Sequence, residues 1–258
     1  MKHFINARRD RVGCQLTDEL YAMYYCYQRG IDFVGAVSRN KNGDVEHNHK
    51  INMFNLPYRL YQNDQHLYNE HQGSPLQLLK SKLYSPALGP KDKQHLKWFV
   101  KDDQFMLYIK KLFDEVRSTR KQQYTDPQKH HVVCHIRRGD VQHNRNKNRY
   151  FNNQYYLDIL TKVLNDHPGA TTTIHTYGKW NEPIQPFIEM GCKFVHIFGG
   201  NNWEHTSRAW IDMVFCDTLI TSKSAFSYVP ALFNNNTVIH TSEGEWQACD
   251  HWLTPDQL

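Results

Sequence analysis

The sequence has no CxxC pair among its six cysteines and no apolar run long enough to cross a membrane. A membrane-spanning helix needs about 20 mostly apolar residues, and no segment approaches that length. The first residues, MKHFINARRDR, also lack the apolar stretch of a secretory signal peptide. These absences argue against a disulfide framework and against export. We therefore expect a soluble, cytoplasmic protein with reduced thiols.

Two common phosphate-binding motifs are missing as well. The chain contains neither GxGxxG nor GxxxxGK followed by Ser or Thr, which disfavours the usual dinucleotide-binding and P-loop proteins. His47 and His49 have the spacing of metal ligands, but no third ligand follows at a recognisable distance. Because the chain has 16 histidines, such a pair arises readily by chance, and no metal site is predicted.

The composition is typical of a folded protein with a mildly basic surface. Hydrophobic residues make up 40% of the chain, enough for a sizeable core, and 13% are aromatic. The chain has 31 Lys and Arg against 26 Asp and Glu, a net charge of +5. This excess fits an anionic small ligand such as a nucleotide and falls short of a typical nucleic-acid-binding protein.

Strand and helix patterns alternate along the chain. Near the N-terminus, strands at 2–6 and 31–37 flank a helix that Thr17 is predicted to cap and Gly30 to end. Further strands are predicted at 131–136, 170–178, 192–198, 217–222 and 237–241, and helices at 103–120 (capped by Asp103), 153–165, 205–216 and 224–232. This alternation predicts an α/β fold with largely parallel sheets covered by helices.

The best domain boundary is the polar segment TDPQKH, residues 125–130. A proline within a polar link is typical of a turn or linker, and a new apolar strand follows it directly. The sequence therefore predicts two domains, 1–128 and 129–258.

An arginine motif, HIRRGD at 135–140, lies at the carboxyl end of the apolar strand 131–136. Ligands of open α/β sheets bind beyond the carboxyl ends of the strands, where these residues lie. Arg137 and Arg138 would point to opposite sides of an extended chain, so only one guanidinium faces a given phosphate. Gly139 lets the chain turn, and Asp140 can hold an arginine or a hydroxyl. The alternative interpretation is a charged turn that closes the strand.

Two other stretches combine small residues with the start of a helix. Ser222, Ser224 and Ser227 surround Lys223 where a strand gives way to a helix, whose free N–H groups can bind an anion. The alternative for these serines is simple helix capping. Gly13, between the first strand and the first helix, permits close approach of a ligand.

Together these stretches resemble motifs of the GDP-fucose-dependent fucosyltransferases, namely the α1,2, α1,6 and protein O-fucosyltransferases. HIRRGD is similar to their HxRRGD arginine motif, and RVGCQ (11–15) resembles their N-terminal GxGNQ loop. Residues 213–227, which contain MVFC and SAFS, resemble the α1,2 enzymes' MxxC segment and the serine-phenylalanine motif after it. The three stretches fall in the family's order and span nearly the whole chain.

The resemblance implies a GT-B fold, in which two Rossmann-like domains face a central cleft. The acceptor side would lie in residues 1–128 and the donor side in residues 129–258. Arg137 would bind the β-phosphate of the donor and His135 would lie near its nucleobase. The other candidate donor-binding residues are Arg138, Asp140, Asp212, Ser222, Ser224, Phe226, Ser227, Gly13 and Gln15.

The implied reaction is an inverting, metal-independent transfer of a sugar from GDP-L-fucose to a hydroxyl of a glycan or protein. Arginine and helix N–H groups can stabilise the negative charge of the leaving nucleotide in place of a metal, and no DxD motif is present. Asp18 is the candidate base for the acceptor proton, with Glu19, Asp44 and Glu46 as alternatives. No cofactor is implied besides the nucleotide-sugar substrate.

Departures from the family pattern leave other hypotheses open. Cys14 replaces an asparagine, Ala209 stands where the α1,2 enzymes have an acid, and Lys223 interrupts the serines. Asp212, one helical turn after Ala209, is a possible substitute for that acid. A UDP-sugar donor such as a UDP-pentose is therefore an alternative, as is a carbohydrate-binding module without catalysis. A nucleic-acid-binding protein that uses the basic and aromatic segment 137–156 is the alternative of another class, which the moderate charge disfavours.

Overall fold

A computed structural model gives the fold of this chain in nine described segments. The described residues are 2–6, 12–30, 32–37, 54, 97–117, 128–178, 180–197, 203–241 and 246–258. The chain divides into two compact units, Met1–Thr119 and Arg120–Leu258. The boundary predicted between residues 128 and 129 stays a prediction, because the adjoining residues 118–127 lie outside the described segments.

The first unit contains a βαβ unit. Strands β1 (Lys2–Asn6) and β2 (Asp32–Val37) pair in parallel, and helix α1 (Val12–Tyr27) connects them. A parallel pair needs such a crossover because the chain must return to the same end of the sheet. A 3₁₀ helix (Lys97–Lys101) and helix α2 (Asp103–Arg117) are the other described elements of this unit.

Helix α1 begins earlier than predicted, at Val12 rather than after a cap at Thr17. Val12, Leu16 and Leu20 are buried at a four-residue spacing, so the apolar face of the helix extends back to its first residue. Thr17 does not act as a cap, because its hydroxyl donates to the carbonyl oxygen of Gly13 at 2.9 Å, one turn earlier. Gly13 consequently lies in the first helical turn rather than in a loop.

The other predicted helix ends in this unit are closer to those observed. Helix α1 ends at Tyr27, and Gly30 follows with a left-handed φ of 59°, as expected for a glycine after a helix. The cap of α2 is Asp102, whose carboxylate accepts the Phe105 N–H at 3.0 Å, and not the predicted Asp103.

Aromatic side chains form the core of the first unit. Phe99 and Phe105 are fully buried, and their ring centroids lie 5.7 Å apart in an edge-to-face arrangement. Tyr24 of α1 packs on Phe105 at 4.9 Å. Part of the 13% aromatic content therefore serves packing between α1, the 3₁₀ helix and α2.

The second unit is built on a five-stranded, all-parallel sheet. Its strands are β3 (His131–Ile136), β4 (Thr171–Tyr177), β5 (Lys193–Ile197), β6 (Thr218–Ile220) and β7 (Thr237–Ile239). Their order across the sheet is β5-β4-β3-β6-β7. Each strand was predicted from the sequence, and the α/β class with a parallel sheet is confirmed.

Helices cover both faces of this sheet. They are α3 (Asn153–Asp166), α4 (Gln185–Glu189), α5 (Trp203–Phe215) and α6 (Ala225–Phe233). On one face, apolar side chains of the strands form a buried cluster with α3 and α4. Its members include Val132, Cys134, Ile136, Ile174, Ile220, Tyr156, Ile159, Leu160, Val163 and Phe187. Because side chains alternate along a strand, His135 and His175 point to the opposite face, where they contact α6 and α5.

The strand order reverses between β3 and β6. The chain runs from β3 outward through β4 to β5, then returns to the other side of β3 and continues through β6 to β7. In doubly wound sheets, ligands bind beyond the carboxyl ends of the two strands that flank such a reversal. The ends of β3 and β6 are therefore the place to look for a site in this unit.

Five of the six cysteines are buried, as the sequence predicted for most of them, and Cys14 is partly exposed. The reduced state of the thiols stays a prediction. Burial raises the pKa of Cys26 and of Cys192 to about 11, so neither thiol is reactive at neutral pH. None of the helices in the described segments has the length and apolar character to span a bilayer.

Candidate functional site

The carboxyl ends of β3 and β6 bring together two stretches that are far apart in the sequence. We call them the switch edge, residues 135–140 and 221–227. Nη1 of Arg137 donates to the carbonyl oxygen of Lys223 at 3.3 Å. Oγ of Ser222 and Nδ1 of His135 are hydrogen-bonded at 2.8 Å. The arginine motif and the serine-rich turn thus form one continuous edge.

Arg137 lies at this edge with its guanidinium held by two partners. Besides the Lys223 carbonyl, Nη2 forms a salt bridge with Oδ2 of Asp140 at 3.0 Å. The side chain of Arg137 is only 11% exposed, and its Nε has no hydrogen-bond partner among the described residues. An N–H that is buried without a partner is costly, so an acceptor oxygen that reached this nitrogen would be stabilised.

Arg138 points away from Arg137, as the alternation of an extended chain predicts. It is 3% exposed, and its Nη2 donates to Oδ1 of Asn153 at 2.7 Å. The guanidinium carbon lies 4.9 Å from the ring centroids of both Tyr150 and Trp180. Burial lowers the pKa of this guanidinium. These contacts favour a structural role in which Arg138 joins the motif to the start of α3.

His135, near the carboxyl end of β3, is buried on the face of the sheet that α6 covers, and it is neutral at physiological pH. Burial, aided by the nearby charge of Arg137, lowers its pKa to about 3. The ring centroid lies 5.2 Å from that of Phe226, which in turn lies 5.6 Å from that of Trp210. Neutral imidazole and aromatic rings therefore line the inner side of the switch edge.

The serines organise the turn that leads from β6 into α6. Oγ of Ser224 accepts the Phe226 N–H at 3.2 Å, which is the helix capping that the sequence left as an alternative. The N–H of Ser222 donates to Oγ of Ser227 at 3.2 Å. Both hydroxyls are thus engaged in the turn. Lys223 lies between the first two serines and is half-buried.

A buried histidine–carboxylate pair lies close to this edge. Nε2 of His175, in β4, is 3.0 Å from Oδ2 of Asp212, in α5. His175 is paired in register with His135 on the neighbouring strand, so both side chains point to the same face. Sequence reasoning proposed Asp212 for donor binding but missed His175. The pairing depends on β3 and β4 being neighbours, which no local sequence pattern reveals.

Two glycines let the loops after β3 and β4 cross closely. Gly139 has a φ of 75° and Gly178 a φ of 83°, the left-handed region that favours glycine. A Cβ on Gly178 would lie 2.6 Å from the Cα of Gly139, which is shorter than any normal contact. The predicted turn at Gly139 is confirmed. This turn packs directly against Gly178 in the loop after β4.

The remaining candidates belong to the first unit. Gly13 and Gln15 are in the first turns of α1, and the side chain of Gln15 lies outside the described part of the chain. Asp18 is half-buried in the second turn, and Glu19 is buried. Four further candidates and the first residue of the RVGCQ stretch lie outside the described residues: Asp44, Glu46, His47, His49 and Arg11.

The basic and aromatic segment uses its rings for packing. Phe151 stacks on Tyr155 with centroids 4.2 Å apart, and Tyr156 is 1% exposed within the core. Tyr150 lies beside the buried guanidinium of Arg138. Single-stranded nucleic acid needs exposed rings on which bases can stack, so this arrangement does not favour that hypothesis.

Comparison with known proteins adds no assignment. No protein-family model matches the chain, and no curated protein matches it significantly. Within the described segments, no three or more His, Cys, Asp or Glu side chains are grouped to hold a metal ion. A function is therefore proposed from the motifs and from the geometry of the switch edge.

Proposed function

We propose that the protein is an inverting glycosyltransferase that uses a nucleotide-diphosphate sugar, with GDP-L-fucose as the leading donor. The acceptor would be a hydroxyl of a glycan or a protein. The observation that supports this most is the position of Arg137. Its guanidinium lies beyond the carboxyl end of β3, where the strand order reverses, and contacts the turn after β6.

The proposed chemistry uses charge where the donor breaks. As the glycosidic bond is cleaved, the leaving diphosphate oxygen keeps the bonding electrons and gains negative charge. A fixed guanidinium stabilises that charge without needing to reorganise, and it does so for either a guanine or a uracil nucleotide. Asp18 is the proposed base that accepts the proton of the acceptor hydroxyl.

The proposal includes a GT-B arrangement, with residues 1–128 on the acceptor side and 129–258 on the donor side. The five-stranded parallel sheet of the second unit supports a Rossmann-like donor domain. The parallel β1–β2 pair connected by α1 supports a related topology in the first unit. His135, Phe226 and the serines would then face the donor, and Arg138 would hold the motif in place.

A thermal-shift panel of GDP, UDP, GDP-fucose and UDP-sugars, with and without EDTA, tests donor class and metal dependence together. We expect GDP to raise Tm by several degrees and EDTA to leave that shift unchanged. Arg137→Lys keeps the charge but loses the two-donor fork, so turnover should fall at least about 100-fold. Arg145→Lys, an exposed arginine of the same segment, is the matched control. Unchanged turnover in the Arg137 variant would refute the proposal.

The same panel separates the alternatives. A larger shift with UDP than with GDP would assign the donor to the UDP-sugars. Binding of sugars alone, without nucleotide, would identify a carbohydrate-binding module. Short oligonucleotides should bind weakly and without a steep dependence on salt. If they bind tightly and alanine at Arg145 and Lys147 abolishes it, the nucleic-acid hypothesis replaces ours.

A further inference from the structure

Lys223 contacts both Arg137 and an aromatic ring at the switch edge. Its carbonyl oxygen accepts the hydrogen bond from Nη1 of Arg137, which fixes the lysine backbone next to the guanidinium. Its ammonium lies over the ring of Phe151, with Nζ 4.8 Å from the ring centroid. The residue follows Ser222, which is hydrogen-bonded to His135, and precedes Ser224, which caps α6.

The charges at this edge are unequally compensated. The guanidinium of Arg137 is paired with the carboxylate of Asp140 at 3.0 Å, so this pair contributes little net charge. Arg138 is turned into the opposite face and contacts Asn153. Among the described residues, no carboxylate lies within ion-pairing distance of the Lys223 ammonium. Because the guanidinium of Arg138 is buried on the opposite face, Lys223 is the half-buried cation next to Arg137 whose charge no described carboxylate offsets.

We propose that Lys223 is a second cationic ligand of the donor diphosphate and supplies the net positive charge that Arg137 alone does not. This inference rests on the proposed function, because it assumes a nucleoside diphosphate at the switch edge. A lysine is suited to the role because it is a point charge on a flexible stem, whereas the guanidinium is fixed in one geometry. Arg137 would orient the diphosphate, and Lys223 would neutralise it.

The contact with Phe151 explains how the ammonium is kept at the edge without a ligand. A cation over an aromatic face is attracted to it only weakly when the site is partly exposed. Phosphate oxygens form charge-assisted hydrogen bonds that are considerably stronger. The ammonium can therefore leave the ring when a diphosphate arrives, without breaking an ion pair first.

Isothermal titration of the 258-residue protein with GDP, UDP and pyrophosphate tests the proposal. Pyrophosphate has no base, so it reports on the phosphate contacts alone. We expect Lys223→Gln to raise Kd for each of the three by about 10- to 100-fold, the typical cost of losing a hydrogen bond to a charged group. Lys223→Arg should restore most of the affinity. Lys129→Gln, an exposed lysine just before the amino end of β3, is the control and should bind as the wild type does.

A measurement on the unmutated protein provides a second readout. Reductive methylation, followed by peptide mass spectrometry, should modify Lys223 at least about fivefold more slowly with saturating GDP or UDP, because each phosphate contact shields the amine. Lys129 serves as the internal reference.

The outcomes distinguish the two proposals. If the wild type binds a nucleoside diphosphate but Lys223→Gln binds it equally well and Lys223 is not protected, this inference is wrong and the proposed function stands. If the wild type binds neither nucleoside diphosphates nor their sugars, the proposed function fails and this inference fails with it. Should Lys223→Gln not fold, Lys223→Ser and the protection experiment decide the question.

Discussion

Acidification from pH 7.0 to pH 4.5 should destabilise the second unit strongly, because this unit buries two neutral histidines. Burial lowers the pKa of His135 from 6.5 to about 3 and that of His240 from 6.5 to about 4. Below pH 6.5 the unfolded chain takes up a proton at each histidine, while the folded protein does not. Stability is therefore lost as the pH falls from 6.5 toward the folded-state pKa of each group.

The size of the loss follows from the two pKa values. Each pKa unit corresponds to about 1.4 kcal/mol, and pH 4.5 lies two units below the unfolded value. Each histidine then contributes between about 2 and 3 kcal/mol, so the two together contribute about 5 kcal/mol, against a typical total stability of about 5 to 15 kcal/mol. Burial also lowers the pKa of His130, whose ring stacks on that of His167 at 3.7 Å, and this adds to the same trend.

Urea unfolding followed by tryptophan fluorescence measures this loss, because five of the six tryptophans belong to the second unit. The control is the double variant His135→Asn and His240→Gln. Asparagine can keep the contact that Nδ1 of His135 makes with Ser222, and glutamine can donate as Nε2 of His240 does to the Trp246 carbonyl. Carboxylates titrate equally in both proteins, so the difference between them isolates the histidines. An equal loss of stability in both proteins would refute the reasoning.

Two further predictions concern contacts around the switch edge, and a third concerns Asp18, the proposed base in the first unit. Gly178→Ala should cost about 2 to 4 kcal/mol in urea unfolding, because it adds a backbone clash to a left-handed φ. Gly169→Ala is the control, because Gly169 has a similar φ of 84° but no atom within 4 Å of the added Cβ. An equal loss of unfolding free energy in the two variants would show that the loops at Gly139 and Gly178 are not in tight contact. Arg138→Met should cost about 2 kcal/mol of stability, since it leaves the side-chain oxygen of Asn153 without its charged donor, and an unchanged midpoint would contradict this. Asp18→Asn should abolish sugar transfer while GDP still binds in a titration, and full turnover would exclude Asp18 as the base.

The sheet of the second unit could be predicted from sequence because its strands are short apolar runs separated by helical patterns. His131–Ile136, for example, is bounded by a proline-containing link and by charged residues, and its observed limits equal the predicted ones. The predicted start of α1, after a cap at Thr17, was wrong for a physical reason. Threonine is favoured as a cap, and it is also tolerated inside a helix, where its hydroxyl can bond to the carbonyl one turn back. The local pattern at Thr17 does not separate the two cases, whereas the burial of Val12 does.

The candidate site was predictable only in its parts. Arg137 and the serines were identified because ligands of open α/β sheets bind beyond the carboxyl ends of the strands, which is where these residues lie. Their contact was not encoded locally, since it depends on β6 lying beside β3 although two strands separate them in the chain. The same is true of His175, whose partner Asp212 is 37 residues away on a helix. Long-range pairs of this kind follow from strand order, which periodicity does not specify.

The arginine motif acts as one mechanical unit rather than as a pair of interchangeable cations. Arg138 is buried against α3, and Gly139 is pressed against Gly178, so the chain on either side of these residues has little freedom. Asp140 then reaches back to Arg137 and fixes its guanidinium toward the turn after β6. Three contacts therefore hold the guanidinium of Arg137 in place: the burial of Arg138 against α3, the close approach of Gly139 and Gly178, and the salt bridge with Asp140. For the diphosphate site that we propose, such a fixed cation would matter because, without a metal, the stabilising charge must be in place before the bond breaks.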